Sequence, residues 1–313
     1  MTTLLLGATG QLGRSFIEHG GLATRDALVL ASRSGASFDG SAIEVADLAD
    51  LASLLPLLDR LRPDVIVNAA AYTAVDRAEQ EEALATRINA EAVAVVGAWA
   101  QRHGALVVHY STDYVFDGES PQPYPVDAPT NPLGAYGRSK LAGEVALRES
   151  GADHLIFRTA WVYAPHGQNF LRTMLRLGAE RDVLRVVADQ HGAPTSTALI
   201  VEGTLAALDH LIASEPVQRR RLLGTHHLVA GGTCTWHGFA KAIFEQSLAQ
   251  GLVTHKPEII PIGTEDFPTP ARRPAWSVLD NSGFQQHFQC QCPLPHWQAG
   301  LQDVITRLTN DGQ

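Results

Sequence analysis

Cysteine is scarce in this chain, with Cys234, Cys290 and Cys292 the only three in 313 residues. Three thiols, two of them in a C-x-C pair, make neither a disulfide framework nor a zinc spacing, and they fit a reducing compartment. Positive charge is also in short supply. A net charge of -9 without a basic stripe interleaved with aromatics argues against nucleic acid as a partner. The one basic cluster, Arg219-Arg220-Arg221, follows Pro216 and reads as a solvated loop or helix end. Long apolar runs and a basic leader are missing too. The chain enters a strand at once, so neither signal peptide nor membrane span is expected, and a cytoplasmic location is. The histidines are scattered, with nothing like H-E-x-x-H, so no protein-bound metal is expected. There is no internal repeat or low-complexity tract. What remains is an ordinary globular composition, over a length that buries a real core in one large or two coupled domains.

The first motif comes at the N-terminus. Thr3 to Leu6 is a short apolar strand that runs into Gly7-Ala-Thr-Gly10-Gln-Leu-Gly13, and the helix Arg14 to His19 follows. Glycines let such a turn fold tightly and approach a pyrophosphate, which then rests on the amides of the helix N-terminus. The spacing G-x-x-G-x-x-G is a variant of the dinucleotide fingerprint, strengthened by its place between strand and helix. A second strand, Ala27 to Ala31, ends at Ser32-Arg33. No Asp or Glu stands there to bind an adenosine 2′-hydroxyl, whereas an Arg accommodates a 2′-phosphate, so NADPH is the preferred cofactor and NADH a possible one. The bland alternative for Arg33 is an ordinary loop residue.

Further strands at Ile43 to Ala46, Asp64 to Asn68, Ala105 to Tyr110 and His154 to Arg158 alternate with helices. The longest of these, about Arg77 to His103, is expected to break near Arg87-Ile-Asn89. Alternation of this kind predicts an α/β fold with a doubly wound, Rossmann-type parallel sheet and ligands at the carboxyl ends of its strands. Ala69, Ala70, Ala71, Tyr72 and Thr73 leave one such end, and the small residues among them let a cofactor lie against the backbone. Ser111 and Thr112 leave another.

A helix from Ala135 to Ser150 then carries Tyr136 and Lys140. Four residues apart on one face, they can point into one cleft. The cation is expected to lower the tyrosine pKa, so that the phenol exchanges a proton near neutral pH. A lone Y-x-x-x-K is ordinary surface helix far more often than catalytic machinery. Here a dinucleotide turn, a hydroxyl at a strand end and the Tyr–Lys helix come in the order a short-chain dehydrogenase needs, with the hydride supplied by the nicotinamide.

In the second half, Trp161 stands just past a strand end and is a candidate sugar or base platform, or core. The helix Thr235 to Gln250 places Trp236, Phe239 and Phe244 on an apolar side read as core. Arg272 and Arg273, framed by prolines, suit a diphosphate, with a solvated turn as the even alternative. Residues 1–165 are expected to form the dinucleotide-binding domain. Residues 166–313 are expected to form a smaller, mainly substrate-binding α/β domain with segments that return to the first.

Several stretches carry a family resemblance over nearly the whole chain. Gly7-Ala-Thr-Gly-Gln-Leu-Gly13, Ser111-Thr-Asp-Tyr-Val-Phe-Asp-Gly118, Tyr136-Gly-Arg-Ser-Lys140, Phe157-Arg-Thr-Ala-Trp-Val-Tyr163, Asp189-Gln-His-Gly-Ala-Pro-Thr195 and Pro268-Thr-Pro-Ala-Arg-Arg-Pro274 together resemble the dTDP-4-dehydrorhamnose reductases, extended short-chain dehydrogenases/reductases. The resemblance implies reduction of the C4 ketone of dTDP-4-dehydro-β-L-rhamnose with NADPH or NADH. It makes Tyr136 the general acid, Lys140 its electrostatic partner and ribose ligand, and Thr112 the accessory hydroxyl. Gly10, Gln11 and Leu12 would hold the pyrophosphate, Asp47 and Leu48 flank the adenine, and Ala71, Tyr72 and Thr73 lie along the middle of the cofactor. Thr112, Asp113 and Trp161 would touch the sugar. Some relatives form dimers bridged by Mg²⁺ through carboxylates, one of them on the first helix. Ser15 stands at that place here, so no Mg²⁺ on protein ligands is expected, and the chain is read as a monomer or weak homodimer whose partner is a small nucleotide sugar.

Two other readings stay open. A nucleotide-sugar epimerase or dehydratase shares the architecture, but elimination wants an acidic pair beside the accessory threonine, and Asp113 is followed by Tyr114. A non-catalytic NADP-binding regulatory subunit has no need of the complete Thr112, Tyr136 and Lys140 set.

Overall fold

A computed structural model describes residues 1–25, 27–36, 40–288 and 294–311. Cys290 and Cys292 lie outside the described residues, and Cys234 is a free thiol.

Seven parallel strands form the central sheet: β1 Thr2–Leu6, β2 Ala27–Ser32, β3 Ile43–Val45, β4 Val65–Asn68, β5 Leu106–Thr112, β6 His154–Thr159 and β7 Gly224–His227. Their order is β7-β6-β5-β4-β1-β2-β3. The chain therefore winds outward in both directions from the β1/β4 junction, which puts the ligand crevice at the carboxyl ends there. The doubly wound sheet read from the sequence is the one observed.

Near-continuous apolar strands are buried on both faces. Leu5, Val67, Val108 and Leu155 belong to one buried cluster, while Leu4, Leu6, Ile66, Val107 and Ile156 belong to another on the opposite face. The period of two along each strand assigns the sides. The first cluster continues through Leu171, Leu184, Phe239, Phe244 and Leu301, so one core runs from the sheet into the C-terminal part of the chain. There Val183–Val187 pairs in parallel with Glu258–Ile262 under the helices Phe170–Glu180 and Trp236–Ala249.

Register decides what hangs over the crevice. Leu6 pairs with Asn68 and Asn68 with His109. The strand β5 then continues through Tyr110, Ser111 and Thr112, beside β6 alone. It carries Thr112 beyond the ends of β1 and β4, over the crevice.

The long helix expected from Arg77 to His103 is divided into Val75–Ala78, Glu82–Thr86, a π-helical turn Arg87–Glu91 and Ala92–His103. The break expected near Arg87-Ile-Asn89 is instead a π turn through which the helix continues, and the interruption lies earlier, between Ala78 and Glu82. Thr195–Ser196 pairs with Val162–Tyr163 and His191–Gly192 with Cys234–Thr235, each a short two-stranded pairing. Among the described residues no helix is long and apolar enough to cross a membrane.

Candidate active site

A cleft of about 1390 Å³ opens along the carboxyl ends of the sheet and continues against the Phe170–Glu180 helix and the Val183–Val187 strand. At one end lies the glycine turn. Gly7 adopts φ 81°, and a Cβ there would stand 2.6 Å from the Ala70 nitrogen. Only glycine lets β1 and β4 deliver their loops this close together. A Cβ on Gly13 would meet the Gly7 oxygen at 2.1 Å, so Gly13 packs the first helix, Gln11–His19, against the turn. Gly10 caps that helix with no side-chain bond, leaving the first-turn amides without a side-chain acceptor. The arrangement fits a pyrophosphate, whose oxygens can accept from those amides.

Of the residues singled out from the sequence, Gly7, Gly10, Gln11, Leu12, Arg33, Asp47, Leu48, Ala69, Ala70, Ala71, Thr73, Thr112, Asp113, Tyr136, Lys140, Trp161 and Arg273 line this one cleft. Four do not line it. Gly13 is packing. Ser32 is 1% exposed beneath the lip. Tyr72 turns its hydroxyl to Glu81 at 2.6 Å and packs on the Ala78, Ala85 and Ala135 cluster. Arg272 is exposed, while its neighbour Arg273 lines the cleft and pairs with Asp76 at 2.9 Å.

The Tyr136 helix, Ala135–Glu149, has no local side-chain cap. Its first amide, that of Ala135, donates instead to Glu79 Oε1 at 2.8 Å, a residue far back in the chain. On the same side Asn89, in the π turn, takes the Tyr72 amide at 2.9 Å and donates to the Tyr72 carbonyl and to Ser139 Oγ. One side chain thus ties the Ala69–Thr73 loop to the Tyr136 helix. A π turn at a functional site is a recurrent device.

Beneath the helix, Glu144 is fully buried and bonds Arg158 through both oxygens, at 2.9 and 2.8 Å. Ser111 donates to it at 2.5 Å. Burial alone would raise this carboxyl, but Arg158, Ser111 and Arg148 outweigh burial and hold it below the ordinary range. Ser111 is thereby committed to structure. Thr112 alone of the two hydroxyls is placed beside Tyr136.

Tyr136 corrects one expectation. Burial pushes its pKa up to about 12, opposed by a hydrogen bond with Thr112 and reinforced by the charge of Asp113. Lys140 does not bring it below the ordinary value, because burial decides the net shift. The Lys140 amino group is 2% exposed as a residue and donates to the Tyr110 carbonyl at 2.6 Å. Burial lowers the Lys140 pKa to about 8, against the pull of Glu144. The phenol is therefore a proton donor at neutral pH, as delivery of a proton to an oxygen requires.

Asp113 is 2% exposed and its Oδ2 has no hydrogen-bond partner. Burial raises its pKa to about 6, against bonds from Ser277 and Thr112. A raised carboxyl binds its proton in the folded chain at a pH where the unfolded chain has released it. Its contribution to stability therefore falls as pH rises from about 4 to about 6 and is lost above that. Asp113→Asn is expected to stabilise the fold at pH 7, by on the order of 2 kcal/mol, while weakening activity. Urea midpoints at pH 4 and pH 7 check this, and a variant no more stable at pH 7 than the wild type rules it out.

Three residues were missed. Tyr114 stands edge-on to Tyr136, with ring centroids 5.6 Å apart, and bonds Arg273. Trp236, read as core, only half belongs to it. It lines the cleft and stacks face to face on Trp161, with ring centroids 3.5 Å apart. Phe239 and Phe244 are core, as read. Trp161 itself takes φ 47°, an uncommon conformation for a large L-residue, and Gly192 leaves room for its indole. The third is Asn89, whose only sequence signal was the break in helical pattern around it.

The family model described as "RmlD substrate binding domain" matches residues 1–310. A dTDP-4-dehydrorhamnose reductase of Salmonella typhimurium is 42% identical over 98% of each chain. The crystal structure of a dTDP-4-dehydrorhamnose reductase from Clostridium acetobutylicum superposes with a TM-score of 0.85 at 33% identity, covering 98% of this chain and 99% of that one. The Bacillus anthracis protein of the same name, solved in complex with NADP, gives a TM-score of 0.83 at 33% identity over the same shares.

Proposed function

From the premise that the chain belongs to the RmlD family, that of the dTDP-4-dehydrorhamnose reductases, we propose that it reduces the C4 ketone of dTDP-4-dehydro-β-L-rhamnose to dTDP-β-L-rhamnose. The observation that carries this reading is the cleft, in which Tyr136, Lys140 and Thr112 face the same space as the glycine turn.

The residues divide the work. The amides of Gln11 and Leu12 would hold the pyrophosphate of NADPH, that of Gly10 donating instead to the Gly7 carbonyl at 2.9 Å, and Ala69 to Ala71 would let its middle lie against the backbone. Asp47 and Leu48 flank the adenine. The nicotinamide, when bound, supplies the hydride. Thr112, whose hydroxyl donates to Asp113 Oδ1 at 2.9 Å in the free protein, would turn that proton to the sugar oxygen, and Tyr136 gives its own proton to the same oxygen. Lys140 stabilises the phenolate that results and bonds the nicotinamide ribose. Asp113 and Trp161 orient the sugar ring. Arg273, with Arg181 and Arg185 further along the cleft, suits the diphosphate. Residues 1–165 serve the cofactor, and most of 166–313 the nucleotide sugar. The protein acts in the cytoplasm as a monomer or weak homodimer without Mg²⁺.

Arg33 is exposed at the lip of the cleft, where a 2′-phosphate would reach it. Arg33→Ala is expected to weaken NADPH by about tenfold or more, the scale of one charge-assisted contact, and to leave NADH nearly unchanged. Equal weakening in a fluorescence titration of both cofactors would remove the phosphate clamp from the reading. The reaction itself is tested by following NADPH oxidation with enzymatically prepared dTDP-4-dehydro-L-rhamnose and identifying the product by mass and NMR. Absence of turnover with tight NADPH binding would favour the regulatory-subunit reading instead.

A further inference from the structure

We propose that His109 is a positioning residue for Lys140: Asn68 fixes its proton on Nε2, and the resulting N–H faces the Lys140 amino group. The inference deepens the proposed reductase site and rests on that reading for its catalytic consequence alone.

The direction of the chain of bonds is set at its far end. The Ala70 amide can only donate, and it donates to Asn68 Oδ1 at 3.2 Å. The other end of the Asn68 amide is therefore its NH₂, which stands 3.2 Å from His109 Nδ1. A ring nitrogen that accepts carries no proton, so the neutral His109 holds its proton on Nε2. Protonation of both nitrogens is disfavoured: His109 is 1% exposed, and burial, with Lys140 and His154 nearby, drives its pKa well below the usual value. Nε2 lies 3.5 Å from Lys140 Nζ. A donor thus faces an ammonium, a long contact that repels the charged lysine and tolerates the neutral one.

The other groups around Lys140 pull in different directions. The Tyr110 carbonyl on β5 accepts from it. Glu144, one turn further along the helix, favours the ammonium but is neutralised by Arg158 of β6 and by Arg148. Tyr136, one turn earlier, is a neutral phenol at pH 7. His109 is thus the group of β5 that opposes the charge. Burial is the main cause of the lowered Lys140 pKa, and a donor aimed at the ammonium acts in the same direction. Sign follows directly: the ammonium that stabilises a Tyr136 phenolate is present below about pH 8 and is lost above it. On the geometry of the donor at 3.5 Å, His109 accordingly adds to burial in moving the alkaline limb of turnover to lower pH.

The chain contains only three lysines, and Lys241 and Lys256 are both exposed, so a lysine-selective ¹³C label gives three ε-carbon signals. Titrating the resting protein reads Lys140 without any sugar substrate. The expected midpoint is about 8 in the wild type. In His109→Asn, which keeps an acceptor for Asn68 but withdraws the N–H, it is expected to rise by roughly one pH unit. Asn68→Leu does not touch Lys140, yet it frees His109 to offer Nε2 as an acceptor and is expected to move the midpoint the same way. The ¹⁵N shifts of His109 in the wild type, assigned by their loss in His109→Asn, are expected to show the proton on Nε2. A proton on Nδ1, or a Lys140 midpoint unmoved in both variants, overturns the proposal. The alkaline limb of kcat/KM should move with the NMR midpoint. If the midpoint moves while the wild type turns over no sugar at all, it is the reductase reading that fails and the tuning of Lys140 that stands.

Discussion

Replacement of Tyr136 by Phe is expected to lower kcat by roughly 10²–10⁴-fold, the usual worth of a positioned general acid. The ring stays in place, because its neighbours hold the phenyl body. Tyr114 stands edge-on to it, and the ring packs against the cluster of Ala78, Ala85 and Ala135. Only the hydroxyl that Thr112 bonds is removed. Cofactor affinity should remain within about twofold, since the glycine turn and Arg33 are untouched. Rapid-quench measurement of the single-turnover rate separates chemistry from product release. A variant that turns over at near wild-type rate with NADPH would sink the assignment of Tyr136 as the acid.

The largest effect on stability should come from Glu144→Ala. It leaves the Arg158 guanidinium, 5% exposed as a side chain, without its carboxylate. Breaking a buried pair by removing one partner costs about 3–5 kcal/mol. The loss should appear as a lower denaturant midpoint with an unchanged slope. Arg148 bonds the same carboxylate but has a side chain 39% exposed, so Arg148→Ala should cost less than about 1 kcal/mol. If the two variants were equally stable, the carboxylate would not be the keystone the geometry makes it. Activity should fall with Glu144 as well, because Ser111 and the Tyr136 helix are both anchored on it.

The comparison between sequence and structure divides along chemical range. Local signals were sufficient for the strand–turn–helix at Gly7 to Gly13 and for the parallel sheet, because strand runs and glycine spacing are properties of neighbouring residues. The helical spacing of Tyr136 and Lys140 was equally local. What escaped was long-range. The helix cap supplied by Glu79 and the clamp made by Asn89 join segments some fifty residues apart, and nothing in either segment names its partner. The sign of the Tyr136 shift escaped for the same reason. A lysine four residues along suggested a depressed pKa, but burial under the surrounding fold decides it. Trp236 was misread because an apolar face on a helix gives no indication that part of it borders a cleft.

The edge strand β7 bears on how the chain is made. It pairs with β6, but it arrives roughly 65 residues after β6 ends. At about 5–20 residues per second of synthesis, the outer edge of β6 waits several seconds on the ribosome for its neighbour. That edge carries Leu155 and Phe157, both fully buried in the finished protein, together with unpaired backbone groups that invite another strand. The nascent N-terminal part is thus a sheet awaiting its final strand, open to mispairing for a time set by elongation rate.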